Sequence, residues 1–234
     1  MRLNSTLPQL ELASKAACRI FIIAAFLNTL ALQSQAADEG GISIAAKSNS
    51  STIAPLMIAI PGKNYELGRH EVTQGEWEAV MCSNPSNFRE CGDNCPVENV
   101  SWDDAQIFIE KLNTKTGKQY RLPTEGEWEF ACHGGIQTKY CGGDKPDSVA
   151  WYDENSQSTQ PVGRKQANGY GLFDMSGNVW EWTSDCYSKD CSMRVVKGGS
   201  WSFGADFAQA SYRSIGVPSN RNNNFGFRLA RTLP

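Results

Sequence analysis

Helical spacing of apolar residues is clear in one long stretch, where Ala105, Phe108, Ile109 and Leu112 follow the i, i+3, i+4, i+7 rule. That spacing predicts a helix with one face on a core and with Glu110 and Lys111 toward water. Three segments share a helix-start signal, a hydroxyl residue followed by an acid in the first turn: Thr73 with Glu76, Ser101 with Asp104, and Thr124 with Glu127. The hydroxyl accepts an amide hydrogen bond and the carboxylate answers the cap's own N–H. Gly117 ends the second helix. The third runs from Glu125 to about Cys132, turns Trp128 and Ala131 inward, and stops at Gly134-Gly135. Ahead of them, Leu56 to Ile60 is an apolar run closed by Pro61-Gly62, which predicts a buried strand ending in a turn.

Beyond Gly134 the helix signals stop, and Gly, Asn, Ser and aromatic residues dominate, with short candidate strands such as Arg194 to Lys197. Asn168 to Trp182 reads NGYGLFDMSGNVWEW, and Lys197-Gly198-Gly199-Ser200-Trp201 and Phe225-Gly226-Phe227-Arg228 follow it. Glycine enters positive φ cheaply and packed rings can fix irregular backbone, so this region predicts a core made of loop. Trp180, Trp182 and Trp201 are expected to be buried within it. The acid pairs Asp103/Asp104 and Glu125/Glu127 fall in first helical turns, where the helix dipole is reason enough for them.

Composition narrows the class. Forty per cent apolar residues and seven tryptophans can fill one core, and a net charge of −3 leaves no nucleic-acid footprint. At the amino terminus, Lys15 and Arg19 precede an apolar run from Ile20 to Leu32, and Ser34-Gln35-Ala36 forms a small-x-small cleavage site. This predicts a signal peptide over 1–36, a flexible lead-in over 37–52 and a domain over 53–234. The run is short for a membrane span, and Asn28 and Thr29 interrupt it. The mature chain is therefore expected without a membrane span, exported to a periplasm or secreted.

Cysteine usage fits export. After the signal remain Cys82, Cys91, Cys95, Cys132, Cys141, Cys186 and Cys191, whose short separations suit local disulfides of Cys91 with Cys95, Cys132 with Cys141, and Cys186 with Cys191. Spacing alone leaves the connectivity open. Cys82 is the odd cysteine in that scheme. No C-x-x-C occurs, and His70 and His133 are the only histidines, which makes a zinc site the poorer reading.

The ordered set Glu71-Val72-Thr73, Pro96-Val97 to Ser101-Trp102, Arg121 to Glu129, Gly171 to Trp182, Gly198-Gly199-Ser200-Trp201 and Gly226-Phe227-Arg228 resembles the formylglycine-generating enzyme, or sulfatase-modifying factor, family. The resemblance covers about Leu56 to Arg231. It implies an α+β fold, a variant of the C-type lectin fold with few helices, small sheets and much irregular packed loop. Aerobic enzymes of that family oxidise a sulfatase cysteine to formylglycine with copper held by two cysteines, soft ligands suited to copper(I). The places those cysteines take, shortly after the Gly-Gly-Ser-aromatic motif, fall on Phe203 and Ala208. Copper is therefore not expected. The branch that forms sulfoxides with iron relies on histidines that this chain lacks.

Family members also bind calcium beside the Gly-Asn-x-Trp-Glu motif. The matching positions are the carbonyls of Ser176, Gly177 and Val179 and the carboxylate of Glu181, oxygen ligands suited to a hard cation. An unpaired Glu181 charge between two tryptophans would be costly, so a calcium ion or an arginine, Arg213 or Arg228, must answer it. The family's second calcium loop is shortened near Trp151 to Asn155. After Trp201, the family's loop lines a groove for an extended peptide, and here it carries Phe203, Asp206, Phe207, Tyr212 and Arg213.

The sequence thus predicts an exported family member without the copper-dependent oxidation, acting as a protein- or ligand-binding module whose partner is an extended peptide, a protein or a small ligand. Whether it is an enzyme is left open. One alternative is an oxidoreductase of sulfatase or siderophore maturation with a non-standard site, for which Cys82 would be the candidate thiol. A second is a retroelement-diversified lectin-fold binding protein, whose variable stretch would run from Gly198 to Arg228 and include the Asn-rich run Asn220 to Asn224.

Overall fold

Each of the three start signals opens a helix. Thr73 accepts the Glu76 N–H at 3.2 Å and Glu76 accepts the Thr73 N–H at 2.9 Å, ahead of α1 (Gln74–Met81). The same reciprocal pair links Ser101 with Asp104 ahead of α2 (Trp102–Thr116) and Thr124 with Glu127 ahead of α3 (Glu125–His133). Gly117 and Gly134 close α2 and α3 in the left-handed conformation, and Cys82 does so for α1. A single-turn helix, α4 (Pro146–Val149), follows.

The structure, a computed structural model, describes Ile53 and residues 55–234. The expected signal peptide and lead-in lie outside the described residues. Two small sheets and a strand pair organise the rest. β1 (Met57–Ala59), β2 (Tyr65–Gly68), β3 (Tyr120–Arg121) and β10 (Ala230–Thr232) form an antiparallel sheet in the order β1-β2-β10-β3, which joins the two ends of the domain. β4 (Ala150–Trp151) pairs in parallel with β5 (Ser176–Gly177). The sheet that carries the site has the order β8-β7-β6-β9, from β6 (Trp180–Cys186), β7 (Arg194–Lys197), β8 (Arg213–Gly216) and β9 (Phe225–Gly226). Its β6–β9 pair is parallel and the others antiparallel.

Two expectations about strands need correction. β1 is an outer strand and only half buried, because just one of its edges is paired; the fully covered residue of that run is Ile60. More consequentially, Trp180 to Cys186 is a seven-residue inner strand where the pattern predicted loop. Trp180, Glu181, Trp182 and Thr183 are all buried, so the strand lacks the polar alternation of a half-exposed one, and Glu181 interrupts the apolar run that marks a fully buried one.

The main core lies between α1, α2 and this sheet. Trp77 stacks on Phe108 with ring centroids 5.1 Å apart, and Phe227 meets both edge-on. Trp182 donates its indole N–H to Val100 O at 3.1 Å, tying β6 to the start of α2. Trp201 is half-buried rather than buried; it rests on Phe88 and donates to Asn223 O. The disulfides Cys91–Cys95, Cys132–Cys141 and Cys186–Cys191 are those expected. Cys82, expected as the odd cysteine, is also disulfide-bonded, so the described residues contain no free thiol. No helix among them is long and apolar enough to cross a membrane.

Candidate functional site

The loop after Trp201 is held against the sheet by two glycines. Gly198 and Gly199 have φ of 95° and 77°, and a Cβ on Gly199 would lie 2.9 Å from the Ala208 Cα. No larger residue leaves room for the single turn Ala205–Ala208 to cross here. The crossing separates the two positions matched to copper cysteines. Ala208 is buried among Tyr140, Val149, Ala150 and Tyr152, while Phe203 is 38% exposed. Neither side chain can ligate a metal.

Phe203 belongs to a contiguous set of rings. Trp180, buried at the start of β6, forms the floor, with Phe203 at 5.8 Å and Tyr212 at 6.1 Å. Phe207 lies between those two, 5.2 Å from Phe203 and 5.1 Å from Tyr212. The result is an aromatic shelf with a covered base and with Phe203 and Tyr212 open to solvent. Backbone bonds fix its ends: Phe203 donates to Ser200 O and accepts from the Asp153 N–H, both at 3.2 Å, and Tyr212 donates to Gln209 O. Asp206, with its side chain 83% exposed, meets Lys139 at 3.3 Å. Arg213 pairs with Glu125 of α3 at 2.7 Å and lies over the Tyr187 ring at 5.1 Å. The structure therefore brings Phe203, Phe207 and Tyr212 together over Trp180, while Asp206 and Arg213 lie at the rim, held by Lys139 and by Glu125 and Tyr187.

Arg228 is the partner of Glu181. Both side chains are fully buried, and the guanidinium spans the carboxylate at 2.6 and 2.5 Å while the Trp128 indole N–H donates to one of its oxygens at 2.6 Å. Arg228 also reaches the carbonyls of Gly68 and Phe173. Of the two partners expected for Glu181, these contacts realise the arginine, and Arg213 lies elsewhere. With both oxygens committed to a cationic fork, Ser176, Gly177, Val179 and Glu181 do not fit a calcium ion as they stand. Two more buried acids crowd the pair. Burial, with Asp174 and Glu181 adding to it, pushes the Glu71 carboxyl well up; burial likewise pushes Asp174 up to about 6 against the pull of the Gly163 N–H and Arg228.

Residues supplied from distant segments escaped the sequence reading. Glu125, placed by its helix cap, also anchors Arg213; Lys197 is fully buried against Glu129 at 3.1 Å; Tyr187 and Ile215 extend the exposed apolar surface. The alternating Arg213-Ser214-Ile215 run beside a tyrosine was the one available hint of an exposed strand. The Asn-rich run turns out to be a backbone hub: the carbonyls of Asn222, Asn223 and Asn224 accept from Asn99, Trp201 and Trp180.

Residues 39–233 match the family of the sulfatase-modifying factor enzyme 1-like domain. The chain belongs to this family. It is 31% identical over 255 residues to the chaperone protein LppX of Paenibacillus barcinonensis, covering 83% of this chain and 88% of that one. It is 34% identical over 170 residues to the mouse formylglycine-generating enzyme, covering 58% of this chain and 44% of the enzyme, so it spans less than half of that relative. Among solved structures it is similar to Treponema denticola variable protein 1, with a TM-score of 0.66 and 29% identity over 76% of this chain and 92% of that one. The fold is thus the sulfatase-modifying-factor variant of the C-type lectin fold, α+β with few helices and small sheets, as the motifs implied.

Proposed function

We propose that this sulfatase-modifying factor domain is an exported binding module whose recognition surface is the aromatic shelf of Phe203, Phe207 and Tyr212, with Asp206 and Arg213 at its rim. The observation that carries this reading is the fate of the two copper positions: one is an exposed ring on the shelf and the other a buried methyl group. Rings bury large area at little entropic cost, which suits recognition. The similarity to a protein named as a chaperone supports a protein partner. Three local disulfides support an oxidising compartment.

The test is panning of the purified protein against a random peptide library, with a Phe203→Ser/Tyr212→Ser variant as counter-screen. Sequences enriched on the wild type are expected to bind the variant at least about tenfold more weakly, the scale of losing one anchoring ring. Equal retention by both proteins would remove the shelf as the binding surface.

The similarity to a variable protein favours a second reading, in which the segment from Gly198 to Arg228 is diversified by a retroelement. Its backbone hub would keep the scaffold while exposed side chains change. A near-duplicate of this stretch beside a reverse-transcriptase gene in the source genome is the expected sign, and its absence there would dispose of the idea.

Calcium at Ser176, Gly177, Val179 and Glu181 has its own test, because the ion would have to displace Arg228 from Glu181. The melting temperature is expected to be the same with and without millimolar calcium; a rise would show that the ion wins that exchange.

A further inference from the structure

The sheet beneath the shelf ends on β8, and β8 is paired on one side only. β7 runs against it without a bulge, from Lys197 opposite Arg213 to Arg194 opposite Gly216. Among the described residues, no backbone hydrogen bond joins Arg213, Ser214, Ile215 or Gly216 to anything beyond β7. In an antiparallel pair, alternate residues turn their N–H and C=O away from the neighbour, so the outer rim of β8 offers donors and acceptors to solvent. Such edges are ordinarily blunted by a lysine, a proline, a bulge or a covering loop. None of these lies within β8. Its one charge, Arg213, is drawn aside by Glu125 and Tyr187, which leaves Ile215 40% exposed beside it.

This edge is continuous with the shelf, since Tyr212 directly precedes β8. The charges around the shelf are unbalanced. Lys139 is held by Asp206, Arg213 by Glu125, and buried Lys197 by Glu129. Asp153, whose N–H donates to the Phe203 carbonyl, and Glu154, which follows it in the chain, are exposed and make no ion pair among the described residues. The vacant edge asks for an extended backbone, the rings for an apolar side chain, and the two carboxylates for a cation.

We infer that β8 takes an extended basic peptide as a fifth strand, with an apolar or aromatic side chain laid on Tyr212 and Phe203 and a lysine or arginine facing Asp153 and Glu154. The inference rests on the shelf being a recognition surface and specifies how the partner is held. Main-chain hydrogen bonds supply affinity in this mode, and every second side chain supplies selectivity.

The experiment is a titration of ¹⁵N-labelled protein with the acetylated and amidated hexapeptide Lys-Val-Thr-Tyr-Thr-Lys, alongside the same peptide N-methylated at alternate residues. The plain peptide is expected to shift the amide signals of Arg213 to Gly216 and to slow exchange of their outward N–H groups about tenfold or more, while the methylated peptide binds at least about tenfold more weakly. An Asp153→Asn/Glu154→Gln variant is expected to bind the plain peptide more weakly and to lose much of the salt dependence. Equal binding of the two peptides overturns strand addition, as does the absence of binding at millimolar peptide. Shifts confined to Phe203 and Tyr212, with β8 untouched, also overturn it while the shelf stands. Failure of the shelf variant to lose library sequences overturns instead the reading beneath it.

Discussion

Arg228 and Glu181 are both without solvent access, and each is the other's charge partner. Removing one member of such a pair strands the other, which costs far more than the pair itself contributes. Arg228→Met is therefore expected to lower stability by about 3–5 kcal/mol in urea denaturation at neutral pH. A loss below about 1 kcal/mol would mean that Glu181 has another counter-charge or takes up a proton easily. A different buried acid sets a pH dependence. Glu98 is fully buried with one oxygen on the Phe88 N–H and the other unpartnered, and burial pushes its carboxyl up from 4.5 to about 7. The fold therefore favours the neutral form. Its contribution is fully present below about pH 4.5 and is lost as the pH rises through about 7. Glu98→Gln is expected to melt higher than wild type at pH 8 and to vary less between pH 5 and pH 8. Parallel pH profiles for the two proteins would contradict this.

At the scale of elements, signals that act within one turn were legible in the sequence. Thr73, Ser101 and Thr124 open helices because their partners lie in the same first turn, and Gly117 and Gly134 close them for an equally local reason. β6 was not legible, because its burial comes from α2, α3 and both neighbouring strands, and its central Glu181 is tolerated only through Arg228 near the other end of the chain. The shelf was half legible. Phe203, Phe207 and Tyr212 stood out as clustered rings, while their floor, Trp180, read as core and the partners of Arg213, Glu125 and Tyr187, come from other segments. The Gly199 crossing makes a prediction at this scale. Gly199→Ala forces a side chain toward the Ala208 backbone at positive φ, so the loop must shift or the fold weaken by about 1–3 kcal/mol. Melting temperature checks it, and an unchanged value would mean that the crossing is looser than described. Loss of the Cys132–Cys141 disulfide, which pins the end of α3 to the following loop, is expected to cost about 2–4 kcal/mol by the same measurement under non-reducing conditions.

For the whole molecule, family and chemistry separate. The lectin-like scaffold is retained: the capped helices, the Gly-Asn-x-Trp-Glu strand, the double glycine and the Gly-Phe-Arg anchor all serve packing in this structure. At the two positions after Trp201 matched to the thiolates of the family's oxidases, this chain has an exposed ring, Phe203, and a buried methyl group, Ala208. The most direct test is a copper(I) titration under reducing conditions, followed by aerobic incubation with a sulfatase-derived cysteine peptide and mass spectrometry of that peptide. The account predicts no stoichiometric copper binding and a peptide recovered with its cysteine intact. One equivalent of tightly bound copper, together with conversion of that cysteine to formylglycine, would contradict it.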